Sequence, residues 1–362
     1  TAERDVIMQV EFWATWDLYS RCWHKHPYNP RNNVNYTAAE TGMPEAIDYP
    51  PPADNQMFHR TVPALDDVPE VRRFQEAFVD KVLSYTLDRG HVLYCMDNET
   101  NAHPEWGAYW AHYVRGKAEQ AGRPIYITEM WDNWDPSDGE VPGARMQDEH
   151  DHPFLHRSNV KVTLALPELY DYVDISNHNT QIGRTHYETA MWVRRQVADS
   201  GHVRPINCVK MYGGDPSRDY AGPARWGEER FWRNVFAGVS AVRFHRPPSG
   251  LGLNETAQAH LRSMRMLTDR MDVFRCEPRD DLLSGRGDRE AYCLANPGVE
   301  YAVCFLDGGE AMLDASAAED GLEVRWLDVK ACTWRDREAA AAGSVLLRPP
   351  GPGFWAACVQ PS

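Results

Sequence analysis

The sequence predicts an α/β protein: a parallel sheet covered by helices in a TIM-type (β/α) barrel, followed by a small antiparallel β-sandwich. Three observations lead to this fold class. Apolar runs typical of strands alternate with amphipathic, helix-like segments up to about residue 275. Each apolar run ends in polar or charged residues, as expected if one face of a barrel carries the chemistry. After about residue 276, short strand-like runs are separated by Gly-Gly, Asp-Gly and Pro-Gly turns.

The barrel part contains six predicted strands and five predicted helices. The strands are residues 5–14, 91–97, 124–132, 170–179, 205–214 and 240–248. The helices are residues 70–90, 104–122, 185–201, 227–239 and 254–271. In the first helix, a helical spacing places one apolar stripe at Val71, Phe74, Phe78, Val82 and Tyr85. An open doubly wound sheet is the alternative fold, but no GxGxxG turn follows any predicted strand.

The chain also contains two long insertions, and its sequence pattern changes in the tail. Residues 24–68 and 132–160 are rich in proline and histidine, and we expect them to surround the active face of the barrel. The tail contains six short predicted strands between residues 291 and 360. The boundary is predicted near residues 277–288, which gives a barrel domain of residues 1–276 and a sandwich domain of residues 277–362.

Composition and charge exclude several classes of partner. The 362 residues carry a formal net charge of −15, which argues against a nucleic-acid partner because phosphate binding needs a basic face. No apolar run approaches the length of a membrane span, so no membrane partner is expected. The first residues carry no signal-peptide pattern. Location is therefore not predicted, although removal of a leader would favour a secreted or periplasmic protein.

No cofactor and no metal site is predicted. The chain has no phosphate-binding glycine loop, no GxSxG elbow and no Cys-His signature of a thiol protease. HKH at residues 24–26 and DEHDH at residues 148–152 are crowded with ligand types, but they lack the spacing of known zinc motifs. Solvated loops are expected at both, and a divalent ion at the second cluster is the alternative. The eight cysteines form no CxxC pair, so reduced thiols are expected.

Two stretches resemble known carbohydrate-active enzymes. NET at residues 98–100 resembles the Asn-Glu at the end of the fourth barrel strand in the large clan of retaining glycoside hydrolases. The tail, from AYCLANPGVEYAVCFLD to GSVLLRPPGPGFWAA, resembles the small sandwich domain that follows apiosidase-like barrels and is commonly labelled collagen-binding. NPRNNVNY at residues 29–36 is similar to the loop after the third strand of that group. The resemblance implies that the six predicted strands are strands three to eight.

The chain departs from this family pattern in two places. Strands one and two have no counterpart. We expect either that a natural N-terminal part is missing from this chain, or that another copy of the chain in a homo-oligomer or the long insertions cover the open edge. The family's nucleophile is a carboxylate at the end of strand seven. Here RPINCVKMYGG aligns with that strand, and Lys210 stands where the glutamate would be. A lysine cannot attack an anomeric carbon in that mechanism.

The candidate catalytic residues are two glutamates at neighbouring strand ends. The resemblance implies that Glu99 protonates the leaving oxygen and that Asn98 holds a substrate hydroxyl. Glu129, which ends the next strand, is predicted as the second carboxylate. The alternatives are that Glu99 caps the following helix and that Glu129 forms a salt bridge with a cation such as Lys210. Asp97 is a weaker candidate, because it precedes the Asn-Glu pair.

Cationic and aromatic side chains complete the predicted site. Lys210, Arg243, His245 and Arg246 form a basic set at the ends of strands seven and eight, which favours a substrate with acidic sugars. Internal pairing with acids is the alternative for each of them. His178 and Tyr212 are predicted to orient the substrate. The candidate stacking platforms for sugar rings are Trp13, Trp16, Trp106 and Trp131.

Three functions are consistent with these residues. The first is a glycoside hydrolase that acts on an oligosaccharide or polysaccharide of plant, algal or microbial origin. The second is a non-catalytic glycan-binding barrel that has lost its nucleophile, which Lys210 favours. The third is a polyuronide lyase that uses Lys210, His178 or Tyr212 as the base and Arg243 to neutralise the uronate. Collagen binding is not inferred from the family label, because a fold does not determine a function.

Overall fold

The structure, a computed structural model, describes the chain except for residues 20–21, 48–56, 101, 132–159, 177–180, 219–220, 288 and 320. The side chains of Trp16 and Tyr19 also lie outside the description. The described residues group into two compact units. The first comprises the described residues of 1–176 and 195–205, and the second comprises those of 181–194 and 206–362. A domain boundary at residues 276 and 277 stays a prediction.

The predicted alternation of strands and helices is confirmed in the described part of the chain. The helices are α1 (Thr15–Tyr19), α2 (Ala38–Thr41), α3 (Pro69–Thr86), α4 (Pro104–Ala121), α5 (Val160–Ala165), α6 (Arg184–Asp199), α7 (Ala224–Phe236) and α8 (Glu255–Thr268). The six strands that alternate with them are β1 (Met8–Ala14), β2 (Val92–Asn98), β3 (Ile127–Thr128), β4 (Val173–Asp174), β5 (Ile206–Met211) and β6 (Ala241–Phe244). Within the described residues, no helix has both the length and the apolar character that crossing a membrane would require.

Three strands of the first unit form a parallel sheet in the order β1, β2, β3. β1 pairs with β2 along its whole length, and β2 pairs with β3 through Tyr94 and Cys95. The long helices α3 and α4 lie in the connections between these strands, because parallel neighbours require a crossover. The carboxyl ends of all three strands therefore meet at one edge of the sheet.

Aromatic side chains dominate the core between this sheet and its helices. Phe12 of β1 stacks on Tyr94 of β2 with ring centroids 5.7 Å apart. From α4, Trp106, Trp110 and Val114 are fully buried. Their spacing of four residues places them on one face of the helix, which packs against the sheet. This packing fixes α4 directly beside the strand ends.

α4 approaches β3 most closely at Gly107. A Cβ at this position would lie 2.2 Å from Oε2 of Glu129 and 3.1 Å from the hydroxyl of Tyr170. The first distance is far below any non-bonded contact, so glycine is required here for close approach rather than for a special backbone conformation. The missing side chain makes room for the Glu129 carboxyl beside the helix, and we call this place the Gly107 notch.

The predicted apolar stripe of α3 is wrong in part. Phe78 and Tyr85 are exposed, and the side chains that are fully covered include Gln75 and Val79. Gln75 occupies a core position because its amide is satisfied there: its oxygen accepts a hydrogen bond from Oγ1 of Thr61 at 2.7 Å. A periodicity count that recognises only apolar residues misses such a polar core position.

In the second unit, β5 and β6 pair in parallel, and α7 and α8 follow them. The remaining strands are β7 (Glu277–Pro278), β8 (Leu283–Ser284), β9 (Ala291–Asn296), β10 (Glu300–Phe305), β11 (Ala311–Ala315), β12 (Leu322–Asp328), β13 (Thr333–Ala340), β14 (Gly343–Leu347) and β15 (Trp355–Pro361). Arg233 of α7 donates two hydrogen bonds of 2.8 Å to the Glu290 carboxylate, which ties this helix to the tail strands.

The tail strands form two antiparallel sheets. One has the order β13-β12-β15-β10-β9-β7 and the other has the order β14-β11-β8. Val303 and Val324 of the larger sheet and Leu313 and Val345 of the smaller sheet belong to one hydrophobic core. All six strands predicted for the tail are present, but β13 was not among them. This strand is exposed along most of its length, and it pairs with β12 through the backbone and through an ion pair of 3.0 Å between Arg337 and Glu323.

Two glycines of α4 give a matched test of the close approach at Gly107. We expect Gly107→Ala to lower the free energy of unfolding by about 1–3 kcal/mol, because the added methyl overlaps Glu129. Gly116→Ala adds the same methyl where no atom lies within 4 Å. It should raise the free energy of unfolding by about 0.5–1 kcal/mol through helix propensity. Urea denaturation measures the free energy of unfolding of both variants. An equal stabilisation by both would contradict the close approach at Gly107.

Candidate functional site

The end of β2 is anchored by the carboxylate of Asp97. This side chain is completely buried, and it accepts hydrogen bonds from the Thr15 backbone N–H at 3.0 Å and from the Thr15 hydroxyl at 2.6 Å. Nε2 of His59 lies 3.0 Å from the same carboxylate. Thr15 follows β1 directly, so these bonds tie the ends of β1 and β2 together.

His59 belongs to the long insertion predicted to surround the active face. It lies in a short 3-10 helix, Met57–Arg60, and its ring is buried. The ring is edge-on to Trp106 of α4, with centroids 5.2 Å apart. The insertion therefore reaches the strand ends through His59. Neither Thr15 nor His59 is among the site residues predicted from the sequence, although a hydroxyl residue one position beyond a predicted strand is a usable signal.

Glu99 follows the last residue of β2 in a left-handed backbone conformation, with φ of 56°. Few residues other than glycine adopt this conformation, and asparagine and aspartate are the usual exceptions. The next residue, Thr100, is held by a backbone hydrogen bond of 2.8 Å to the carbonyl of Met130. Glu99 and Asn98 are both half-buried.

Glu129 faces the helices rather than the edge where the strands end. Its side chain is completely buried. Oε1 accepts a hydrogen bond of 2.7 Å from the backbone N–H of Asp97, and Oε2 points at the Gly107 notch. Burial raises the pKa of the Glu129 carboxyl well above its usual range, and the nearby Asp97 carboxylate raises it further. This position does not support the prediction that Glu129 contacts substrate as a second carboxylate.

The predicted stacking platforms require correction. Trp13, Trp106 and Trp131 are each at most 6% exposed. Trp13 packs against the rings of Phe58 and Trp106, and Nε1 of Trp131 donates a hydrogen bond of 2.9 Å to Thr163. Because protein atoms cover their faces, these three rings are part of the core and cannot stack on a sugar in this structure. The side chain of Trp16 lies outside the described residues.

The residues of the predicted basic set all belong to the second unit, where some are buried and others are exposed. Lys210 is buried in β5, whereas Arg243 is exposed in β6 and its Nε donates a hydrogen bond of 2.9 Å to the carbonyl of Val209. Arg246 is also exposed. The rings of Tyr212 and His245 lie 4.7 Å apart, so the structure brings these two predicted residues together. His178 falls outside the described residues.

No metal centre is visible in the part of the chain that the structure describes. Within it, no three side chains of His, Cys, Asp and Glu come together so that they could hold an ion. The DEHDH cluster at residues 148–152 is outside that part. His24 and Lys25 of the HKH cluster lie in a short 3-10 helix and are exposed. The described site therefore consists of Asp97, Thr15, His59 and the residues that follow β2.

Comparison with solved structures identifies the fold. A structure described as a glycoside hydrolase matches with a TM-score of 0.56 and 12% identity, over 80% of this chain and 69% of that one. A family 5 glycoside hydrolase from Bacteroides vulgatus matches with a TM-score of 0.54 and 12% identity, over 81% of this chain and 68% of that one. No protein-family model and no curated protein matches the chain. The chain has a glycoside-hydrolase-like fold, and at this identity the likeness extends to the fold alone.

The hydroxyl of Thr15 should contribute measurably to the anchoring of Asp97. Thr15→Val keeps the size and the backbone N–H but removes the hydroxyl. We expect it to lower the free energy of unfolding by about 1.5–3 kcal/mol, since the lost bond is to a buried carboxylate. Thr15→Ser keeps the hydroxyl and loses one methyl group, which costs about 0.8 kcal/mol. Chemical denaturation measures the free energy of unfolding of both variants. Equal losses of free energy would show that the hydroxyl hydrogen bond is not what stabilises the strand end.

Proposed function

We propose that the protein is a glycoside hydrolase in which Glu99 is the general acid. The observation that carries the proposal is the placement of Glu99 at the carboxyl end of β2, half-buried and in a left-handed conformation, within a glycoside-hydrolase-like fold. Residues in sparsely populated backbone conformations cluster at functional sites, where the surrounding structure maintains them. A carboxylic acid in this position could protonate the oxygen of a leaving sugar.

The hydrogen bonds around Glu99 support this role. Asp97 is fixed by Thr15 and His59, and Thr100 is fixed by Met130, so the backbone on both sides of Glu99 is held. A general acid must keep its carboxyl within hydrogen-bond reach of the reacting oxygen, and a fixed backbone serves that requirement. In this proposal, Asn98 binds the substrate hydroxyl next to the reacting carbon. Glu129 is enclosed by protein, so the proposal gives it no contact with substrate and assigns the catalytic role to Glu99 alone.

The proposal extends to the architecture and the substrate class. The parallel strands would belong to a (β/α) barrel, and the two antiparallel sheets of the tail would form a β-sandwich. The substrate would be an oligosaccharide or polysaccharide. The exposed guanidinium of Arg243, two residues before His245 in the sequence, favours acidic sugars, because arginine recognises carboxylates through paired hydrogen bonds.

A second candidate function is glycan binding without catalysis. Lys210 stands at the position where the resemblance expects a nucleophilic carboxylate, and Glu129 is enclosed by protein. Both observations favour a barrel that retained its sugar-binding face and lost hydrolysis. Binding on a glycan array, with no product released from any bound glycan, would favour this function over the first.

The hydrolase proposal is tested by Glu99→Gln. We expect its activity on the cognate glycan to fall by about 10²–10⁴-fold, because the amide cannot donate the catalytic proton. The melting temperature should stay close to that of the wild type, since the substitution is isosteric. Reducing-sugar release from neutral and uronic-acid polysaccharides measures the activity.

Glu119→Gln is the matched control for Glu99→Gln. It makes the same chemical change at an exposed position of α4, away from the strand ends, and should leave turnover unchanged. Glu99→Gln turnover equal to that of the wild type would remove Glu99 from the catalytic role.

A further inference from the structure

The Glu129 carboxyl is enclosed by protein, yet one of its oxygens has no hydrogen-bond partner. Oε1 accepts the Asp97 N–H, whereas Oε2 has no donor or acceptor in reach among the described residues. The Tyr170 hydroxyl is likewise buried and without a partner in the described part of the chain. Burying a carboxylate oxygen without a hydrogen-bond donor costs free energy of folding. The protonation state of the Glu129 carboxyl therefore needs an explanation.

Both unpartnered groups face the Gly107 notch. The Cβ position of Gly107 lies 2.2 Å from Oε2 of Glu129 and 3.1 Å from the Tyr170 hydroxyl. The two oxygens therefore cannot be more than the sum of these distances, 5.3 Å, apart. The notch brings a carboxyl group and a phenol to the same small space between α4 and β3.

Burial and the titratable groups around Glu129 disfavour a negative charge there, and they outweigh the backbone N–H groups of Asp97 and Met130, which favour one. The titratable groups that face it are Asp97 and Cys95 from β2 and Tyr170 from the segment before β4, and none of these three is a cation. The facing residues of α4 are Gly107 and the indole side chains beside it. A neutral acid avoids the free-energy cost of burying a charge, which is larger than the cost of burying an uncharged polar group.

We propose that Glu129 is a neutral carboxylic acid that positions the end of β2 and does not contact substrate. Its Oε1 holds the N–H of Asp97, and its acid hydrogen is directed into the notch that it shares with Tyr170. The positioning role rests on the proposed function, because it acts through Glu99, two residues beyond Asp97. The neutral state of the acid is independent of any activity.

The neutral state is tested without a substrate. Infrared difference spectra between the wild type and Glu129→Gln should show the carbonyl band of a protonated carboxylic acid at neutral pH. Tyr170→Phe, which keeps the acid and removes the phenol beside it, should shift the frequency of this band. If the difference spectra show carboxylate bands only, the proposal is overturned.

The pH dependence of stability gives a second readout with a defined sign. The pKa of Glu129 is raised in the folded protein above its ordinary value of 4.5, so unfolding at higher pH releases a proton. The stabilisation from the neutral acid is fully present below that value and is lost as the pH rises. The melting temperature of the wild type should therefore fall relative to that of Glu129→Gln as the pH increases from acid to neutral. A constant difference would contradict a neutral buried acid.

Measurements of turnover distinguish a positioning role of Glu129 from a catalytic one. Glu129→Gln keeps the acceptor for the Asp97 N–H, so we expect turnover within about tenfold of the wild type, whereas loss of a catalytic carboxyl would cost about 10²–10⁴-fold. Glu129→Leu removes the acceptor and should lower turnover more than Glu129→Gln does. A loss with Glu129→Gln as large as that with Glu99→Gln would overturn the positioning role. If the wild type cleaves no glycan, the hydrolase proposal fails, while the infrared and stability results still decide the state of Glu129.

Discussion

The hydrogen bonds at Asp97 are the constraint on which the site depends. Its carboxylate accepts from Thr15 after β1 and contacts His59 of the insertion, and its own N–H is held by Glu129 of the next strand end. One residue thus joins three strand ends and an insertion. The bonds are buried, and buried hydrogen bonds to a charged group are expensive to lose. This explains how an edge made of polar groups can be rigid.

That rigidity accounts for the conformation of the residue that follows. A left-handed glutamate costs about 1–2 kcal/mol relative to an ordinary conformation, and an isolated strand end would relax. Here Asp97 precedes Glu99 by two residues and Thr100 follows it, and both are fixed by neighbouring strands. The hydrogen bonds of Asp97 and Thr100 keep the strained backbone of Glu99 in place. This backbone points the Glu99 side chain in a direction that regular strand geometry would not give.

The sequence was sufficient to predict the order of elements but only part of the site. Repeated apolar runs and amphipathic segments specify strands and helices through local periodicity, and these were confirmed. β13 was missed because its residues, TWRDREAA, carry no apolar alternation, and the strand exists through backbone pairing with β12. His59 was missed because it comes from an irregular insertion, where no periodicity relates sequence to position. Contacts between distant segments, such as His59 with Asp97, are set by tertiary packing alone.

The position of Glu129 shows why a polar residue at a strand end need not face the active edge. Side chains alternate along a strand, so Ile125, Ile127 and Glu129 share one face. Both isoleucines are buried in the core beneath the helices, and the glutamate follows them there. This alternation was readable in the sequence and predicts the helix side. The same reasoning cannot be applied to Glu99, because its left-handed backbone interrupts the alternation after β2. Strand-end acids therefore divide into those whose direction is set by the pleat, such as Glu129, and those whose backbone departs from it, such as Glu99.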